Sequence, residues 1–134
     1  MPRSIIRVAA VLTAALLLTA GASIARQPGD GGTANVTGKY VLSGDGYLVV
    51  SVDDLGRVEG FFERNGAFGR LSGQAESDGV TAIWVQKTGQ TACETTVDDS
   101  SHWGRVTLTR TEAGELDVAW GECREQLLEL ETAR

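Results

Sequence analysis

Histidine occurs once in this chain, methionine once and cysteine twice, and lysine plus arginine number 12 against 18 acids. Each shortage removes a class of function. One histidine leaves no HExxH metal motif, and neither a GxSxG nucleophile elbow nor a phosphate-binding glycine loop occurs. The deficit of base gives a formal net charge of −6, which repels phosphate backbones and anionic lipid, so nucleic acid is not an expected partner. A helical period is missing throughout Val36–Trp120. No sequence signal calls for a cofactor or a metal.

What is present begins with "MPRSIIRVAAVLTAALLLTAGASIARQPGD". Arg3 and Arg7 form a positive start, Ile5 to Leu18 is almost wholly apolar, and Ser23 and Ala25 have the small-residue spacing of a cleavage site. This reads as a secretory signal over residues 1–25 rather than a membrane anchor, because the uncharged run is at the short limit for a span and ends in small residues. No cysteine follows it to take a lipid. Cleavage would leave about 110 residues, enough for one core and not two, with no membrane contact expected afterwards. The chain is expected in the periplasm or outside the cell.

Residues 26–35, "RQPGDGGTAN", are glycine-rich and polar and read as a flexible leader. From Val36 a period of two takes over. Val36, Gly38, Tyr40 and Leu42 form one face; so do Leu48, Val50 and Val52, then Val58, Gly60 and Phe62, then Leu71, Gly73 and Ala75, then Val106 and Leu108, then Leu116, Val118 and Trp120. Around Trp84 the alternation leaves open whether Ala82 and Trp84 or Ile83 and Val85 point inward. The tail suits a strand with Leu128 and Leu130 inward or a short helix, the strand being favoured.

Short turns such as "SGDG", "RNGAFG" and "TEAG" separate the strands and force antiparallel neighbours. Glycine interrupts the inward face at Gly38, Gly60, Gly73 and Gly104, which suits coiled strands leaving room for large aromatics. The expected fold is therefore all-β: an antiparallel up-and-down meander of seven or eight strands closed into a small barrel over 36–134.

One connection is long, Gly89 to His102, and it holds "DDSSHWG". A Ser-His-Asp relay normally draws its members from separate rigid elements, whereas Asp98, Asp99, Ser100 and Ser101 here are successive and suit turn hydrogen bonds. A divalent ion on Asp98, Asp99 and His102 follows no calcium-loop spacing. An acidic loop with His102 at its base, and no enzyme, is the expectation. Antiparallel order brings both ends of this loop to the rim where the last hairpin closes, so Cys93 and Cys123 should form a disulfide. Trp84, Trp103 and Trp120 are either core packing or the aromatic wall of a ligand site at the mouth.

The run "VTGKY", "GRVEGFF", "LSG", "IWVQ", "HWGRVTL", "VAWGEC" resembles avidin and streptavidin in order and spacing over Val36 to Cys123. The resemblance implies an eight-stranded up-and-down barrel with tryptophans around the biotin pocket, and Trp84, Trp103 and Trp120 fall where three of these would. Leu42 and Phe62 stand where that family's ligand-binding Asn and Tyr are expected, so biotin's urea group would go unpaired. The segment Trp84 to Cys123 also resembles small exported bacterial β-barrel proteins of unassigned activity, and small periplasmic protease or lysozyme inhibitors share the size, signal and disulfide habit.

Two functions are therefore carried forward. The first is a small-molecule binder using Trp84, Trp103 and Trp120. The second is a protein-binding module, such as an inhibitor of an exported hydrolase, presenting Asp98, Asp99 and His102. Outward Val41, Val49 and Phe61 read either as a stripe for self-association or as scattered surface residues, and a monomer is expected.

Overall fold

The computed structural model describes residues 34–125 and 129–134. The signal over 1–25, most of the leader and Leu128 lie outside the described residues. Eight strands follow one another: β1 Gly38–Val41, β2 Tyr47–Val52, β3 Arg57–Arg64, β4 Ala67–Ala75, β5 Val80–Gln86, β6 His102–Arg110, β7 Leu116–Trp120 and β8 Glu129–Ala133. Each pairs antiparallel with the next in sequence order. A reciprocal backbone pair between Val41 and Arg134, N–O 2.6 and 3.2 Å, brings the last strand onto the first, so the meander is a nearly closed barrel. Closure satisfies edge groups that would otherwise invite another chain.

Turn chemistry sets this order. Arg64 pairs with Ala67 across Asn65-Gly66, whose φ values of 53° and 75° give the two-residue primed hairpin that matches strand twist. Four connections lie at one end, between β1 and β2, β3 and β4, β5 and β6, and β7 and β8. Three lie at the other.

The inward face carries Val36, Tyr40, Leu42, Leu48, Val50, Val58, Phe62, Leu71, Val106, Leu108, Leu116, Val118 and Trp120, all buried. β5 resolves with Val80, Ala82 and Trp84 inside and Ile83 half-exposed outside. The deciding contact is between neighbours: Trp84 faces Gly104 in register. A methyl at Gly104 would collide with Gly121 O and lie 2.7 Å from Trp84 Nε1. Gly69 likewise leaves the space that the Phe62 ring fills.

The end with three connections is sealed. Ala34 N–H donates to Glu76 O at 2.7 Å, Arg110 donates to Asn35 O at 3.0 Å, and Tyr40 OH donates to Val36 O at 2.9 Å. The last two leader residues are thus tied down beside a fully buried Val36.

The tail is a strand, but with the opposite face inward from that expected. Leu130 is 76% exposed, whereas Glu131 and Ala133 turn toward the barrel. The register Trp120↔Glu129 and Val118↔Glu131 places Glu131 beside Trp120, whose N–H it accepts. On the outer wall, Phe61 and Phe68 are 61% and 66% exposed.

Candidate functional site

The four-connection end is a mouth built on alternate strands. Phe62 from β3, Trp84 from β5 and Trp120 from β7 form its floor, with Phe62 edge-on to Trp84 at 6.4 Å between centroids and tilted against Trp120 at 5.1 Å. Above them is a cavity of about 220 Å³ whose rim includes Arg64, Gln86, His102 and Glu122. Both indole N–H groups are already used. Trp84 Nε1 donates to Gly121 O at 2.9 Å and Trp120 Nε1 to Glu131 Oε1 at 2.7 Å. Phe62, Trp84 and Trp120 are 1%, 4% and 2% exposed, so the floor is a packed surface with no free indole donor.

Arg64 is the inward residue after Phe62 on β3. Its guanidinium lies over the Trp120 ring, 4.7 Å from the centroid, and pairs with Glu129 and, at 3.7 Å, with Glu131. Arg64 and Glu131 side chains are only 13% and 12% exposed, and Glu131 Oε2 also accepts the Ser43 N–H at 3.0 Å. Three strands, β3, β7 and β8, and the turn between β1 and β2 are thereby tied at the mouth. Glu122 at the rim has its carboxyl pushed above the ordinary value by burial; nearby Glu129 and Glu125 add to this, while Arg64 and His102 oppose it.

His102 is the first residue of β6, opposite Gln86, so the loop ends one residue earlier than expected. Its Nδ1 lies 2.7 Å from Thr91 O; facing a carbonyl, that nitrogen is the donor. Ser100 Oγ donates to Gln86 O and accepts the His102 N–H at 3.1 Å. Hydroxyl and imidazole are thus each held by a backbone carbonyl rather than by one another.

Asp98 and Asp99, at φ 48° and 62°, form the two central positions of a tight turn closed by reciprocal 2.9 Å bonds between Val97 and Ser100. Asp98 also pairs with Arg70 on the outer wall at 3.6 Å. Among the described residues no three His, Cys, Asp or Glu side chains converge on a metal position. Beside this turn an outer groove of about 650 Å³ is lined by Phe61, Phe68, Arg70, Val85 and Asp98.

Cys93 and Cys123 are bonded, with Cα atoms 5.6 Å apart, so the long loop is stapled to the segment after β7. Trp103 stands apart from the other two tryptophans. β6 turns Gly104, Val106 and Leu108 inward, so Trp103 is on the outer face. There the loop covers it: its Nε1 donates to Thr95 O at 2.7 Å and its carbonyl accepts the Cys123 N–H at 2.8 Å. The structure brings together Trp84, Trp120 and His102 around one cavity, puts Trp103 under the loop, and leaves Asp98 and Asp99 at the loop's turn. Arg64, Glu122 and Glu131 were not singled out from sequence. Parity did carry one signal, since Arg64 follows Phe62 by two on a strand whose inward face was legible.

Fold and mouth define an eight-stranded antiparallel barrel with an aromatic-floored opening at one end. Comparison with known protein families, curated proteins and solved structures finds no match to this chain.

Proposed function

We propose that this chain is an exported, non-enzymatic barrel that binds a small molecule in its mouth, on the floor formed by Phe62, Trp84 and Trp120. The observation carrying this reading is the cavity itself: an aromatic floor with a few polar groups converging on it is the usual form of a ligand site. The disulfide agrees with folding in an oxidising compartment. The avidin-like order of segments points the same way as a resemblance, with the ligand differing because Leu42 and Phe62 replace polar partners.

The test is tryptophan fluorescence during ligand titration in single Trp→Phe variants. Trp84→Phe and Trp120→Phe should each remove part of the ligand-induced change, and Trp103→Phe should leave it intact. A change carried by Trp103 alone would move the site out of the barrel and refute the reading.

A second reading is favoured by one observation, the exposed Phe61 and Phe68 beside Asp98. A protein partner docking there would read an apolar groove with an acidic edge. Its association should weaken with salt and on neutralising Asp98 and Asp99; unchanged affinity would count against it.

A further inference from the structure

We propose that the outer wall of β3 and β4 is a contact between two copies of this chain, which pair about a two-fold axis at Phe61 and Phe68, in place of the monomer expected from the sequence. The inference is independent of a ligand in the mouth. It seats a second copy where the second reading above places an unrelated protein.

Strand register carries it. Phe61 on β3 faces Arg70 on β4, and Glu63 faces Phe68. All four alternate with the inward set of Phe62, Gly69 and Leu71, so they point out of the barrel. Two of the chain's three phenylalanines are thus exposed side by side, on a wall that also exposes Val41 and Val49. A contiguous apolar patch of this kind marks an interaction surface. The block has its aromatic rings on one diagonal and opposite charges on the other. A two-fold contact requires such a patch, one that complements itself. An axis laid along the Phe61–Phe68 diagonal, between two copies, sets each phenylalanine against its own counterpart and exchanges the places of Arg70 and Glu63. Each guanidinium then meets the other copy's carboxylate. The sides of the block are about 5 Å across the strands and about 7 Å along them, a mismatch that a long arginine side chain absorbs.

Both charges have capacity for this. Glu63 makes no ion pair among the described residues. Arg70 meets Asp98 at 3.6 Å, with both side chains largely exposed, and a guanidinium has five N–H donors. Other modes of association fit less well. The edges of β1 and β8 are taken up by each other through Val41 and Arg134, which closes off strand addition there. An anionic lipid surface is repelled by the net charge of −6. Beside the block, the groove along Phe68, Val85 and Asp98 gives the other copy's rings a recess rather than a flat wall.

The test is sedimentation velocity over a concentration series on the disulfide-bonded chain, on Glu63→Arg, on Arg70→Glu and on an equimolar mixture of these two variants. Near-ultraviolet circular dichroism checks that each variant keeps its fold. The unaltered chain should dimerise with rising concentration. Each single reversal puts like charges opposite one another and should weaken self-association at least about tenfold. Mixed, the variants supply an all-basic and an all-acidic block, so they should pair with each other about as strongly as the unaltered chain does with itself. Phe61→Ser should remove association without touching the charges. An unaltered chain that stays monomeric to about 1 mM overturns the pairing and leaves the groove to an unrelated protein. A dimer that survives both reversals, or a mixture that fails to associate, overturns it too. None of these outcomes decides the mouth, which is read separately from the fluorescence of Trp84 and Trp120.

Discussion

The two ends of this barrel are made of the same strands and finished in opposite ways. At the closed end, Val36, Val58, Val80, Leu108 and Leu116 fill the interior, and residues 34–36 lie across it. At the mouth the same inward positions carry Phe62, Trp84 and Trp120, with Arg64, Glu131 and Glu122 above them. Aliphatic side chains interlock without cavities. At the mouth the rings pack edge to face within the core, and the cavity lies above them, lined by Arg64, Gln86, His102 and Glu122. The difference teaches that stability is concentrated at one end, while the chemistry open to a ligand is at the other.

The largest expected effect tests the staple of the open end. Replacing Cys93 and Cys123 by serine should cost about 3.5 kcal/mol, the chain-entropy value for a loop of this size. Hydrogen exchange should show where: residues 89–101 and Trp103 should lose protection first, while amides around Leu108 and Leu116 keep theirs. Uniform loss across both ends would erase the distinction between them.

Leu108→Ala addresses the other end. Leu108 is fully buried among aliphatic neighbours, so truncation should cost about 3 kcal/mol by denaturant unfolding, with ligand affinity at the mouth preserved in the folded fraction. A change in affinity larger than the change in folded fraction would show that the ends are coupled. Gly104→Ala comes next, at about 2 kcal/mol, because the added methyl meets Gly121 O and the Trp84 indole. Its signature is a shift in Trp84 emission that Leu108→Ala does not produce.

The smallest effect is the most discriminating, because the ends should titrate in opposite directions. Asp53, in the closed-end turn between β2 and β3, accepts the Arg57 backbone N–H at 2.9 Å and its Nε at 2.6 Å, and these bonds lower its pKa below the ordinary 3.8. Its contribution to stability is present above that ordinary value and is lost as pH falls through the depressed one. Burial raises Glu122 above the ordinary 4.5. Relative stability from Glu122 is therefore greatest below 4.5 and lost as pH rises through its folded value. Glu122→Gln should stabilise the free protein slightly at neutral pH and not at all below 4.5. Carboxyl NMR titration reads both groups directly, and two shifts of the same sign would contradict the contrast.

Much of the fold was legible in the sequence, because it is made by alternation and turn chemistry. The parity of β1 to β4, β6 and β7, the Asn65-Gly66 hairpin and the cysteine pairing all follow from rules that act over a few residues. The mouth was only half legible. Trp84 and Trp120 were found as aromatics, but Trp103 was grouped with them, although Gly104, Val106 and Leu108 inward already implied Trp103 outward. Its burial under the loop depends on a tertiary cover that strand periodicity does not encode. Leu130 was expected inward as the apolar residue of its pair. Glu131 took an inward place instead because it meets Arg64, Trp120 and the Ser43 N–H. A charge turned indoors by partners from other strands leaves no mark on its own segment.

The measurement that bears most directly on the central claim is native mass spectrometry of the chain purified gently from its own host. The account predicts an oxidised chain that carries an additional small-molecule mass. An oxidised chain that is consistently bare would contradict a ligand site at the mouth.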